Sequence, residues 1–78
     1  MTKELSSYNE RKLSVLEALE DLVDANTMEV ADYIGISYDA ARLALSRYHY
    51  QGLLNRQKGI YTLSDSGVSR LNYLRQDT

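Results

Sequence analysis

Residues 29–54 constrain the fold more than any other stretch. A short apolar-periodic segment runs into Gly35, and a longer one begins at Ser37 and runs to Gly52. Two such segments so close together read as helices meeting at a corner. Glycine readily takes the left-handed backbone that closes one helix, and a serine oxygen accepts the amide hydrogen bond that opens the next. The pattern predicts helices over 27–34 and 37–51. Asn26 or Thr27 offers the first cap, and Asn26 with Glu29 has the spacing of a capping box. Ile36 is expected to turn inward and seal the corner.

Ahead of this unit, Leu5, Tyr8, Lys12, Val15, Leu16, Leu19, Leu22 and Val23 recur at three- and four-residue steps, with Glu4, Glu10, Glu17, Glu20 and Asp21 largely between them. That periodicity predicts an amphipathic helix over 6–24, ending in a turn at Asp24, Ala25 and Asn26. Beyond Gly52, residues 53–56 and 60–63 flank Gln57, Lys58 and Gly59, and a glycine late in the loop suits a β-hairpin over 53–63. Ser64 and Asp65 supply a cap and an acidic first turn for a last helix over 64–75, with Val68, Leu71 and Leu74 or Tyr73 as its apolar stripe. The expected fold is mainly α with a small β-hairpin, one domain spanning 1–78.

Composition narrows what such a domain can do. With 78 residues the chain supports one small core, which self-association would help to stabilise. Cysteine is absent, histidine occurs once, and no glycine-rich phosphate loop is present. Nucleophilic triads, thiolate metal sites and nucleotide cradles therefore cannot be assembled, so no enzyme, no metal and no cofactor is expected, and no small-molecule ligand is evident. Glu17, Glu20, Asp21 and Asp24 read as a solvated acidic face, and His49 as a core-edge or solvent residue. No apolar run approaches the ~20 residues of a membrane span, so a cytoplasmic protein is expected. All seven aromatic residues are tyrosine. Most suit the margin of a core, with the ring buried and the hydroxyl wet; Tyr38 and Tyr50 are reserved for a contact role.

The order of elements resembles a winged helix-turn-helix transcriptional regulator of the MarR-like kind over roughly Leu13 to Leu74. The resemblance rests on Glu29-Val-Ala, on Ile34-Gly-Ile-Ser37, on Leu45, Tyr48, Gly52, Leu53 and Leu54 at their spacing, and on Tyr61-Thr-Leu-Ser-Asp-Ser-Gly67. Tyr48 stands where that family more often places a leucine. The resemblance implies a three-helix bundle, a β-wing and a C-terminal helix, with helix 37–51 as the recognition helix on double-stranded DNA. The family's long dimerisation helices lie outside the resembling part.

On that helix Ala41, Leu45, Tyr48 and Gly52 should face the core beside Ala44. Ser37 caps the helix, and the opposite face carries Tyr38, Asp39, Arg42, Leu43, Ser46, Arg47 and Tyr50. Arg42 is the first choice for base reading, because its fork matches guanine O6 and N7. Ser46, Arg47 and Tyr50 are expected at phosphates, while Leu43 meets either a thymine methyl or a protein. Arg56 and Lys58 on the wing reach the adjacent backbone or minor groove. Charge is the objection, since nine Lys plus Arg stand against eleven Asp plus Glu. Its distribution answers this: Arg42, Arg47, Arg56 and Lys58 against Asp39 make residues 35–63 positive, while residues 1–34 are strongly acidic. Four bases make a modest footprint, so a homodimer is expected, with Leu5, Tyr8, Leu71, Tyr73 and Leu74 as its interface unless they pack within one monomer. The alternative is a winged-helix protein-interaction module that does not bind DNA.

Overall fold

The computed structural model describes residues 7–76, with side chains from Asn9 onward. Its elements are α1 (Ser7–Leu22), α2 (Thr27–Ile34), α3 (Tyr38–Tyr50), β1 (Leu54–Gln57), β2 (Ile60–Leu63) and α4 (Asp65–Gln76). This is a mainly α chain with one antiparallel hairpin, in the winged-helix arrangement. Val15, Leu16 and Leu19 of α1 meet Val30 of α2, Leu45 and Tyr48 of α3, and Leu71 and Leu74 of α4, with Leu53, Leu54 and Tyr61 closing the hairpin side of one cluster. Lys12 is buried in the same stripe, its ammonium 5.5 Å from the centroid of the Tyr48 ring. The long stem packs as a hydrophobe while the charge meets the ring face.

The end of α1 differs from expectation. The helix stops at Leu22 and not at residue 24, and Val23, expected in the apolar stripe, is 72% exposed with a left-handed φ of 71°. The Asp24 amide donates back to the Leu22 carbonyl at 2.8 Å, making a tight three-residue turn. What fixes the turn lies far along the chain. The Ala25 amide donates to the Tyr61 carbonyl at 3.1 Å, and the Tyr61 amide donates to the Ala25 carbonyl at 2.8 Å. A segment expected to be a turn therefore makes a single antiparallel bridge to the outer edge of β2, with the Ala25 side chain fully buried. The expected start at residue 6 and the stripe members Leu5 and Tyr8 lie outside the described side chains.

The α2–α3 corner follows local chemistry. The Glu29 amide donates to Asn26 Oδ1 at 2.8 Å, and the Asn26 amide donates to Glu29 Oε1 at 2.9 Å, so both halves of the capping box are made. Gly35 closes α2 at φ 75°, which lets the Ile36 amide reach the Ala31 carbonyl at 3.0 Å and leaves Ile36 half-buried. Ser37 Oγ then accepts from the Ala40 amide at 3.1 Å and opens α3. At the far end the Leu53 amide donates to the Tyr48 carbonyl at 3.0 Å, and both of these side chains are buried. Pairing of Leu54 with Leu63 and of Gln57 with Ile60 leaves Lys58 and Gly59, both at positive φ, as a two-residue turn, so Gln57 belongs to the strand.

Helix α4 is rotated from the expected stripe. Ser64 Oγ donates to the Gly52 carbonyl at 2.6 Å and accepts from the Gly67 amide at 3.0 Å, which ties the helix start to the end of α3. At Gly67 the approach is so close that a Cβ would sit 2.0 Å from the Leu53 carbonyl oxygen. Gly67, Leu71 and Leu74 consequently face inward, while Val68 is 44% and Tyr73 57% exposed. Arg75 completes the seam by pairing with Glu20 and, at 3.4 Å, with Glu17 of α1.

Candidate nucleic-acid interface

Helix α3 divides into two faces. Ala41, Ala44, Leu45 and Tyr48 are buried, and Ser37, Tyr38, Asp39, Arg42, Leu43, Ser46, Arg47 and Tyr50 are all exposed. At ~100° per residue, Asp39, Leu43, Ser46 and Tyr50 follow the line opposite the core, Tyr38 and Arg42 fall on one flank, and Arg47 falls on the other. The polar groups are therefore arranged about a central strip. Ser37 divides its work: its oxygen accepts the capping bond within α3, and its hydroxyl hydrogen keeps the capacity to donate outward.

Arg56 and Lys58 are both exposed on the hairpin. The Arg56 guanidinium lies 5.7 Å from the centroid of the Tyr61 ring, and Tyr61 meets the His49 ring edge-on at 6.3 Å. Arg56 is thus steered by its cross-strand partner in the ladder. A groove lined by Asn26, Thr27, Met28, Tyr38, Arg56, Gly59 and Tyr61 brings the first turn of α3 to the wing. Asn26, Thr27, Met28, Gly59 and Tyr61 are not among the interface residues expected from sequence. The capping box had fixed where α2 starts, and the outward position of Met28, 53% exposed, is the available signal. Lys58, in the turn of the hairpin, lines a second depression together with Asp24, Asn55, Arg56 and Gln57.

Glu17, Glu20 and Asp21 of α1 are engaged with its neighbours. Tyr33 of α2 donates its hydroxyl to Asp21, and that bond, followed by partial desolvation and the charges of Asp21 and Glu17, raises the Tyr33 pKa above the usual tyrosine value. Glu17 and Glu20 hold Arg75. The apolar interface expected at the chain ends is corrected in part. Leu71 and Leu74 are core residues, 0% and 2% exposed, so they offer no surface to a partner. Tyr73 remains exposed, and Leu5 and Tyr8 lie outside the described side chains.

Neither histidine nor cysteine occurs among the ten residues of this surface. Among the described residues no cluster of three or more His, Asp or Glu side chains could hold a metal, and no helix is long and apolar enough to cross a membrane.

No protein-family model matches the chain, and no curated protein matches it by sequence. Solved structures do match. The YusO protein from Bacillus subtilis superposes with a TM-score of 0.76 at 19% identity, covering 85% of this chain and 52% of its own. BpsR of Bordetella bronchiseptica, whose DNA binding is regulated by 6-hydroxynicotinic acid, superposes with a TM-score of 0.79 at 19% identity, covering 96% of this chain and 56% of its own. The chain thus spans about half the length of these two structures. The likeness carries the fold.

Proposed function

The chain has a MarR-like winged helix-turn-helix fold, and from that premise we propose that it binds double-stranded DNA sequence-specifically as a small transcriptional regulator, acting as a homodimer. The observation that carries the reading is the exposure of Arg42, Arg47, Arg56 and Lys58 on one helix and the adjoining wing of an otherwise acidic chain. The shared fold with BpsR, a protein described by its DNA binding, adds support.

In this reading α3 enters the major groove. Arg42 takes a guanine through its bidentate fork, a contact that contributes about 1 to 3 kcal/mol of discrimination. Ser37, Ser46, Arg47 and Tyr50 hold phosphates and fix the register. Tyr38 and Asp39 lie in the first turn beside the base edges, and Arg56 and Lys58 reach the neighbouring backbone from the wing. No catalytic step forms part of this reading.

Binding of a random-sequence duplex at low salt, against an Arg42→Ala, Arg47→Ala double variant, tests the proposal. The native chain should bind with an affinity that falls steeply as salt rises, and the variant should lose most of it. Undetectable duplex binding at low salt, or binding unchanged in the variant, rejects DNA as the partner and returns the surface to the protein-interaction alternative.

A further inference from the structure

The centre of the exposed face of α3 is occupied by an aliphatic side chain. Leu43 is 56% exposed and belongs to no buried cluster, although the helix buries Ala41, Ala44 and Leu45 and half-buries Ala40. Around the helix Leu43 lies within about 30° of the direction opposite the core, so it points at whatever α3 docks against. Its neighbours one helical turn away are the exposed Asp39, Ser46 and Arg47 and the half-buried Ala40, and Arg42 adjoins it in sequence. Every exposed one of them is a hydrogen-bonding or charged group.

That setting decides between two kinds of partner. A protein-docking patch needs contiguous apolar surface, with hot-spot side chains packed among others of their kind. Leu43 is the one exposed aliphatic side chain of α3, its exposed neighbours within one turn are polar, and Tyr50, two turns on along the same line, ends in a hydroxyl. The major groove presents the matching pattern, because each thymine C5 methyl is one apolar group set among base-edge donors and acceptors and phosphates.

We infer that Leu43 reads the C5 methyl of a thymine, which makes it a specificity-determining residue of the DNA-binding reading on which this inference rests. Arg42 and Leu43 are adjacent on α3, so the bound sequence pairs a guanine with a nearby thymine. The two contacts differ in kind: the arginine is anchored by directional hydrogen bonds, and the leucine by exclusion of water from two apolar surfaces.

The probes for the test are duplexes recovered from a random pool by binding to the full chain. Each thymine is replaced in turn by 2′-deoxyuridine, which removes only the methyl, and both series are titrated with the native chain and with Leu43→Ala. Alanine is the strongest helix former and position 43 is exposed, so the variant keeps the fold, as circular dichroism verifies. At one thymine and its symmetry mate, deoxyuridine should weaken native binding about fourfold per methyl. Leu43→Ala should bind the thymine duplex more weakly and no longer distinguish it from the deoxyuridine duplex at that position. The inference is overturned if duplexes are recovered but no deoxyuridine replacement weakens binding, or if the penalty persists undiminished in Leu43→Ala. If no duplex is recovered, the DNA-binding reading falls and this one falls with it.

Discussion

Val23 holds a left-handed backbone with a β-branched side chain that is mostly in water, and its neighbours explain why. A three-residue turn centred on Val23 must redirect the chain between Leu22, the last residue of α1, and Ala25, which is fully buried against the hairpin. The two hydrogen bonds between Ala25 and Tyr61 hold the strained residue in place. For a residue with a Cβ such a backbone costs about 1–2 kcal/mol, and glycine escapes most of that at the expense of a more flexible unfolded chain. Val23→Gly is therefore expected to raise stability, by about 1 kcal/mol, with no loss of structure. Urea unfolding monitored by circular dichroism checks the sign; a destabilised variant would show that the valine side chain makes a contribution larger than the strain. Gly67 presents the opposite case, since its constraint is a carbonyl oxygen and not a torsion.

Among the elements, the caps of the α2–α3 corner were legible in the sequence because each determinant lies within about one helical turn of its partner: Asn26 with Glu29, Gly35 with Ala31, Ser37 with Ala40. The outward face of α3 was legible for the same reason, once the inward positions were known. The bridge at Ala25 was not, because its partner Tyr61 is brought to it only by the whole fold. Nor was the rotation of α4, which depends on Ser64 reaching Gly52 and on the contact of Gly67 with Leu53. The groove joining Tyr38 to Arg56 was hidden similarly. A further tie, Tyr33 to Asp21, fastens α2 to α1 and has a pH signature. The hydrogen bond raises the folded tyrosine pKa, so the tie is fully present below the unfolded value of about 10 and is lost as pH rises through the folded value. The stability difference between native and Tyr33→Phe chains should then be constant from neutral pH to about pH 10 and shrink above it. Denaturant midpoints across that range measure it, and a difference independent of pH would mean that the hydroxyl contributes nothing through its proton.

For the whole molecule the controlling quantity is charge set against a small basic footprint. The chain is net acidic at −2, yet the α3–wing surface carries Arg42, Arg47, Arg56 and Lys58. The Debye length in physiological salt, about 8 Å, screens much of the acidic residues' repulsion at separations beyond it. Affinity on DNA follows the number of phosphates neutralised, and the slope of log affinity against log salt counts them at about −0.9 each. With Arg42 on a base edge, one protomer sets Arg47, Arg56 and Lys58 on phosphates for a slope near −2.7, and a two-fold dimer engaging two half-sites gives a slope near −5.4. The homodimer proposal therefore predicts the steeper slope on a site with two half-sites one helical turn apart, and the shallower slope on a single half-site. Sedimentation of the same samples provides the independent count. A slope near −2.7 on both duplexes, with only monomer at high micromolar concentration with and without DNA, would leave a monomeric DNA-binding domain and remove the dimer. Arg56→Ala adds a check on the wing, since removing one phosphate contact from each protomer should reduce the dimer slope by about 1.8.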